Sequence, residues 1–427
     1  MSVPASRDVL RPASGGVKQA AGSWFMERLP AVFRVLRTVW PIPHFGGTVM
    51  MTRHDHVREV FLDDAAFGVP YKPKLDVLMD GEPFFLGLPD SAQYRADAEA
   101  MRRVMRPNDI TARLAPATER AAERIVAAAD GRIEVVDALV RQVTFDVLGD
   151  YFGVPNPPTG DLRVWATRLF EFQFADPGND PSLRKEVDGI APALRNHIDA
   201  EIARRKTEPS PGDDVLGRCI AMQASGEPGF SDRQIRTALM GFVVGGPPQP
   251  PMVVPQALEQ LLRRPQALAE AQDAARRNDD RLLAGYVFEA MRFDPLAPAL
   301  PRIAVKDSTI AAGTPYAREI RKGTNVLAAI SSAMMDERRL PAPQSFNPHR
   351  LPHEYMLFGY ALHTCFGIHI NRVLLPLMLK PLLKRQRLRR ASGRDGRLSK
   401  RGVFADRLVV QWDASPRGQN LPLAGVR

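Results

Sequence analysis

The stretch Phe358-Gly359-Tyr360-Ala361-Leu362-His363-Thr364-Cys365-Phe366-Gly367 holds the main clue to the fold. A glycine-bearing loop leads into a cysteine, and the cysteine opens an apolar helical pattern over residues 370–383. Cys365 therefore falls where unpaired backbone N–H groups and the positive end of a helix dipole converge. Both lower a thiol's pKa and favour the thiolate, the form that ligates metal. Taken alone, a small buried structural cysteine at a helix start fits these residues equally well.

Three further patterns stand in order around the loop. Phe288-Glu289-Ala290-Met291-Arg292 sets Glu289 and Arg292 three residues apart, on one helical face. By itself that is an ordinary surface ion pair. Pro301-Arg302-Ile303-Ala304 follows, and Phe346-Asn347-Pro348-His349-Arg350 comes just before the cysteine loop. Upstream, an apolar helical run over residues 236–244 ends in Gly245-Gly246-Pro247-Pro248-Gln249-Pro250-Pro251. A proline inside a straight helix costs about 3 kcal/mol, so the helix should stop or bend at Gly245-Gly246.

The spacing Phe-Gly-x-x-x-His-x-Cys-x-Gly, with Glu-x-x-Arg and Phe-x-Pro-x-Arg upstream of it, resembles the motif set of cytochrome P-450 enzymes. The resemblance covers nearly the whole chain after residue 25. It implies a mainly α, single-domain haem-thiolate fold with small β-sheets, holding haem b through an axial thiolate from Cys365. Thiolate ligation pushes electron density onto iron and favours O–O cleavage. On the same resemblance Phe358 shields the sulfur, His363 faces a haem propionate and Gly367 lets the backbone pass close to the porphyrin. Arg302 binds a propionate, and Tyr94 with Arg95 or Arg102 supplies the second anchor. Glu289, Arg292 and Arg350 form a buried charge network under the haem loop. Ala361 stands where the family usually has a second glycine.

Length and composition agree with that class. The chain has 427 residues, 44% hydrophobic and 25% charged, enough to bury a core around a cofactor. Two cysteines, Cys219 and Cys365, imply no disulfide framework and fit a reducing, cytoplasmic setting. Cys219 reads as a buried structural thiol. No apolar run is long enough to span a bilayer. The formal charge is +10, without a basic tract interleaved with aromatics, so nucleic acid is not expected. Residues 1–24 read as a flexible leader and 25–427 as the folded domain of a monomer. Residues 25–42 read as a packed amphipathic segment, with a segment lying on a membrane surface as the alternative. Residues 47–52 read as a strand, 69–89 as a long capping loop, and 93–105, 115–129, 135–151, 161–174 and 181–206 as helices.

The departure lies on the oxygen side. The family's helix there carries a glycine followed by an acid and a threonine, which relay protons during O–O cleavage. Here Gly245 and Gly246 align with the small residues, Pro248 replaces the acid and Gln249 the threonine. An amide hydrogen-bonds but does not exchange protons as an acid does. The leading expectation is a monooxygenase inserting oxygen from dioxygen into a hydrophobic small molecule. It would take electrons from an acidic ferredoxin or flavodoxin-type donor, with Arg102, Arg103, Arg106, Lys380, Lys384 and Arg385 as the docking face. The alternative is a peroxygenase or lipid hydroperoxide isomerase, with Gln249 positioning the peroxide. Residues 83–88, 170–174, Ala299 and Leu300 are expected to line the pocket on family analogy.

Overall fold

The computed structural model describes residues 17–413, with side chains from residue 28. Helices dominate and four small sheets accompany them. Most helices pack into one extensive apolar core. A second cluster, including Met51, Val57, Phe67, Ala304, Val326 and Met334, lies under the largest sheet. That sheet orders His44–Phe45, Thr48–Met51, Asn325–Ala328, Leu300–Ala304 and Phe67–Gly68. Thr48–Met51 runs parallel to Asn325–Ala328, and Leu300–Ala304 returns antiparallel with Arg302 opposite Val326.

Most expected elements appear with shifted ends. Pro181–Lys206 is a helix capped at its start by Asp180, and Ser231 closes a capping box with Gln234 on Asp232–Gly245. The helix Val17–Val39 begins inside the expected leader, the rest of which lies outside the described residues. Leu29 and Phe33 bury its inner face against Ala329. The stretch 69–89 is not one long loop: Lys72–Met79 is a helix with Pro73 in its first turn, where the missing N–H costs nothing. Three wide π-helical segments with i→i+5 backbone bonds, Ile110–Leu114, Val135–Arg141 and Glu171–Ala175, interrupt the helical register.

The apolar helix of the oxygen side stops at Gly245. A new helix, Pro250–Leu262, starts after a four-residue break, with Pro250 and Pro251 in its first turn. The prolines thus escape the penalty of a helix interior, because first-turn donors go unused anyway. Gly246 N donates to Phe242 O at 2.9 Å, and the Gln249 amide nitrogen turns back onto the Gly245 carbonyl. Gln249 is therefore engaged with a carbonyl that the break releases. No helix among the described residues is long and apolar enough to cross a membrane.

Candidate active site

Cys365 lies two residues before Gly367, which caps the helix Ile368–Leu383. Its own N–H donates to Phe358 O at 2.8 Å, which folds the loop into a closed turn. Burial raises the thiol pKa, and a hydrogen bond from the Gly367 N–H opposes that rise. The thiol is deeply enclosed, yet the residue keeps some accessible surface. Protein thus surrounds Cys365 on most sides while an internal space still reaches it. A Cβ added at Gly367 would stand 3.9 Å from Cys365 Sγ, so the glycine keeps the approach to the sulfur narrow but open.

Ala361 takes a left-handed conformation, with φ of 58°. The backbone here demands what glycine gives without cost, and the chain meets the demand with a methyl. Phe358 sets its ring at 6.1 Å from Phe288, edge to face. Phe366, beside the cysteine, stacks on Phe242 at 5.7 Å and meets Phe85 at 5.2 Å. This aromatic column closes the flank of the site that faces the Asp232–Gly245 helix.

Under the loop, Glu289 is fully buried and gathers its partners. Arg292 donates to it twice, Nη2 to Oε1 at 2.7 Å and Nε to Oε2 at 2.9 Å. Arg350 Nε donates to Oε1 at 3.3 Å, Asn347 N to Oε1 at 2.9 Å, and the Tyr355 hydroxyl to Oε2 at 3.3 Å. The structure thus brings Glu289, Arg292 and Arg350 together, with the two arginines meeting through the carboxylate. Tyr355 and Asn347 were not foreseen, nor was Gly285. A side chain at Gly285 would collide with the Pro348 carbonyl, so this glycine lets the 346–350 segment close onto the helix Asp280–Phe293. Phe346 then stacks on Phe293 at 5.8 Å.

A second polar group lies by the loop itself. Arg302 is 5% exposed, donates only to the neighbouring Pro301 carbonyl and has no carboxylate partner among the described residues. Its guanidinium lies 4.8 Å over the Phe61 ring. Burial pulls its pKa down, with Tyr71 nearby opposing. Neither ring nitrogen of His363 has a partner, and burial together with Arg302 takes its pKa down to about 4.

The other expected anchors divide. The Tyr94 hydroxyl donates to Leu362 O at 2.9 Å, so it holds the cysteine loop instead of standing free for a carboxylate. Arg95 does not join the site: it is exposed and paired with Asp90, because the next residue along a helix turns about 100° away. Arg102 is exposed, 5.7 Å over the Phe366 ring. On the expected docking face, Lys380 is buried between Glu119 and Asp280, and Arg103 and Arg106 are paired with Glu227 and Asp213.

Residues 166–406 match the cytochrome P-450 family. The chain belongs to that family. Cyclomarin C epoxidase CymV of Salinispora arenicola is 27% identical over 266 residues, 62% of this chain and 64% of that protein. Cytochrome P-450 monooxygenase PikC of Streptomyces venezuelae is 27% identical, covering 62% of this chain and 58% of PikC. The match thus spans under two thirds of either relative. Among solved structures, a mutant of P-450 EryK in complex with erythromycin B has a TM-score of 0.75 at 21% identity, covering 92% of this chain and 98% of that one. CalO2 has a TM-score of 0.76 at 20% identity, covering 96% and 100%.

Membership in the cytochrome P-450 family implies haem iron held by a cysteine thiolate. The residues present fit that group. Cys365 offers a sulfur at the wall of an internal space, with a backbone N–H to stabilise its thiolate. Arg302 is a buried cation and His363 a half-buried imidazole with both ring nitrogens enclosed; neither hydrogen-bonds an acid among the described residues, and the carboxylate arms of a porphyrin would supply one.

Proposed function

We propose that this chain is a haem-thiolate monooxygenase that inserts one oxygen atom of dioxygen into a hydrophobic small molecule. The observation that carries this reading is the convergence of Cys365 with Arg302 and His363, whose enclosed polar atoms hydrogen-bond no carboxylate of the chain. The relatives named as an epoxidase and a monooxygenase support it. When bound, haem b would supply iron for activating oxygen. The chain's own residues do the rest. Cys365 would hold the iron through its thiolate, Arg302 and His363 would receive the carboxylate arms, and Phe85, Phe242 and Phe366 would keep water from the flank. Glu289 with Arg292 and Arg350 holds the segment that precedes the loop. The electron donor is an acidic ferredoxin or flavodoxin-type protein, docking on exposed cations such as Arg102 and Arg106 while Lys380 stays inside. A cytoplasmic monomer is the corresponding setting.

A second reading, a peroxide-using enzyme, is favoured by one feature. Pro248 and Gln249 stand where the acid and alcohol would relay protons, and the Gln249 amide is turned to Gly245. A preformed peroxide needs fewer protons delivered along that helix.

The test is direct. Reduced protein with carbon monoxide should show the absorption band of thiolate-ligated haem, and Cys365→Ala should lose it. Retention of that band in Cys365→Ala would end the assignment. Turnover with a ferredoxin system against turnover with hydrogen peroxide alone separates the two readings.

A further inference from the structure

Gln173 is 4% exposed, and neither its Oε1 nor its Nε2 has a hydrogen-bond partner among the described residues. Native proteins keep very few such groups, because an unpaired buried donor or acceptor has lost its water and gained nothing. A primary amide with both halves unpaired is the costliest neutral case. Gln173 belongs to the wide turn Glu171–Ala175, which extends the helix Leu162–Phe170. Such turns recur at functional sites.

The surroundings connect this turn to the cysteine loop. Phe170 and Phe174 flank Gln173 along the chain, their rings 5.0 Å apart. Phe174 meets Tyr71 at 5.1 Å, edge to face, and Phe170 meets Phe404 at 6.1 Å. Tyr71 is half-buried near Arg302, and Arg302 is near His363, two residues before Cys365. Phe172 takes a different side, under Lys74 at 4.9 Å.

We propose that Gln173 is a specificity-determining residue that reads a secondary amide or lactam in the substrate. Its Nε2 donates to the substrate carbonyl and its Oε1 accepts from the substrate N–H, while Phe170, Phe174, Tyr71 and Phe404 hold flat apolar parts. An amide is the complement because it offers one acceptor and one donor together. An ester of the same shape offers only acceptors and leaves Oε1 unpaired. A site built to hydrogen-bond a group discriminates strongly against the analogue lacking it. This inference deepens the monooxygenase reading and rests on it.

The experiment uses the haem-loaded full chain and two matched probes, N-benzylbenzamide and benzyl benzoate, with affinities read by calorimetry. Wild type should bind the amide about tenfold or more tightly than the ester. Gln173→Leu should bind the two within about threefold, because the apolar side chain reads neither half of the amide. Ligand-free Gln173→Leu should also be as stable as wild type or more so, since an unpaired amide is removed. Equal binding of both probes by wild type, binding of neither, or a preference that survives in Gln173→Leu would overturn the proposal. A less stable Gln173→Leu would do so too, because an amide satisfied by internal water would show that loss. Gln173→Met, closer in length, carries the test if Gln173→Leu does not fold. Failure of the haem reading itself shows separately, as a missing carbon monoxide band.

Discussion

Replacing Glu289 by glutamine should destabilise the protein by several kcal/mol while changing almost no volume. The carboxylate is fully buried and neutralises Arg292 and Arg350, which are 0% and 7% exposed. Glutamine keeps one acceptor oxygen, but its NH2 faces guanidinium donors and its charge is gone. Arg292 retains the Met334 carbonyl at 2.9 Å, and Arg350 retains Ala342 O at 2.9 Å and Glu354 at 3.4 Å. Arg292 is therefore the group left without a counter-charge. Breaking a buried pair from one side typically costs about 3–5 kcal/mol. With an unfolding entropy of about 0.8 kcal/mol/K for a chain of this length, the melting temperature should fall by roughly 4–6 °C. An exposed control calibrates the loss: Asp55 and Arg339 form a close pair at 2.7 Å with both side chains about half exposed. Asp55→Asn should cost under about 1 kcal/mol. Equilibrium unfolding in guanidinium, read by circular dichroism, measures both. A Glu289→Gln midpoint indistinguishable from that of Asp55→Asn would refute the argument that burial makes this network costly to break.

Ala361→Gly should raise stability by up to about 1 kcal/mol, since relief of a left-handed alanine exceeds the added chain entropy of glycine; an unchanged or lower unfolding midpoint would count against the strain. Gln249→Ala should cost about 1 kcal/mol and speed amide exchange over residues 245–252, because Gly245 O loses its donor; unchanged exchange would show that the cap contributes nothing. His363 should give the haem-free protein a pH dependence of known sign. Its folded pKa is depressed to about 4 from an ordinary 6.5, so between those values the unfolded chain holds a proton that the folded one lacks. Stability then falls as pH falls through that window, by about 1–2 kcal/mol after allowance for partial exposure. The loss should be absent in His363→Gln and smaller in haem-loaded protein, where a propionate would raise the histidine pKa; equal slopes in all three would rule His363 out as their cause.

How much of this was legible in the sequence depended on what constrains each residue. Cys365, Glu289, Arg292, Arg350, Arg302 and His363 are tied by spacing, and the structure sets each beside the loop or beneath it. Tyr94 with Arg95 or Arg102 is the expected second anchor, but Tyr94 and Arg95 are helix neighbours and diverge by a wide angle. Tyr94 faces inward to the loop carbonyl of Leu362, and Arg95 faces Asp90 outside. The helix Lys72–Met79 escaped notice because Pro73 looks like a breaker and is in fact a first-turn residue. The wide turns escaped for a different reason. A turn closed by i→i+5 bonds takes in most of an extra residue and shifts the apolar stripe, so a 3.6-residue pattern carries no sign of it. Gln173, inside one of those turns, looked like part of an apolar pocket wall because Phe170, Phe172 and Phe174 surround it in sequence.

The proline segment shows why local rules decided the break but not its chemistry. Pro247, Pro248, Pro250 and Pro251 together forbid a continuous helix whatever the tertiary setting. Ending at Gly245 and restarting at Pro250 is the arrangement that wastes fewest donors, since two prolines fall where no N–H is needed. The released Gly245 carbonyl still needs a donor, and Gln249 is the one side chain of the segment able to give one. With one N–H committed there, the Gln249 amide keeps its second N–H and its Oε1 for other partners. A role for Gln249 in positioning bound oxygen would use that second N–H, from a side chain whose direction the Gly245 bond fixes. Here the one amide of the segment is tied to backbone repair, and Pro248 and Gln249 stand where the resemblance leads one to expect an acid and a threonine.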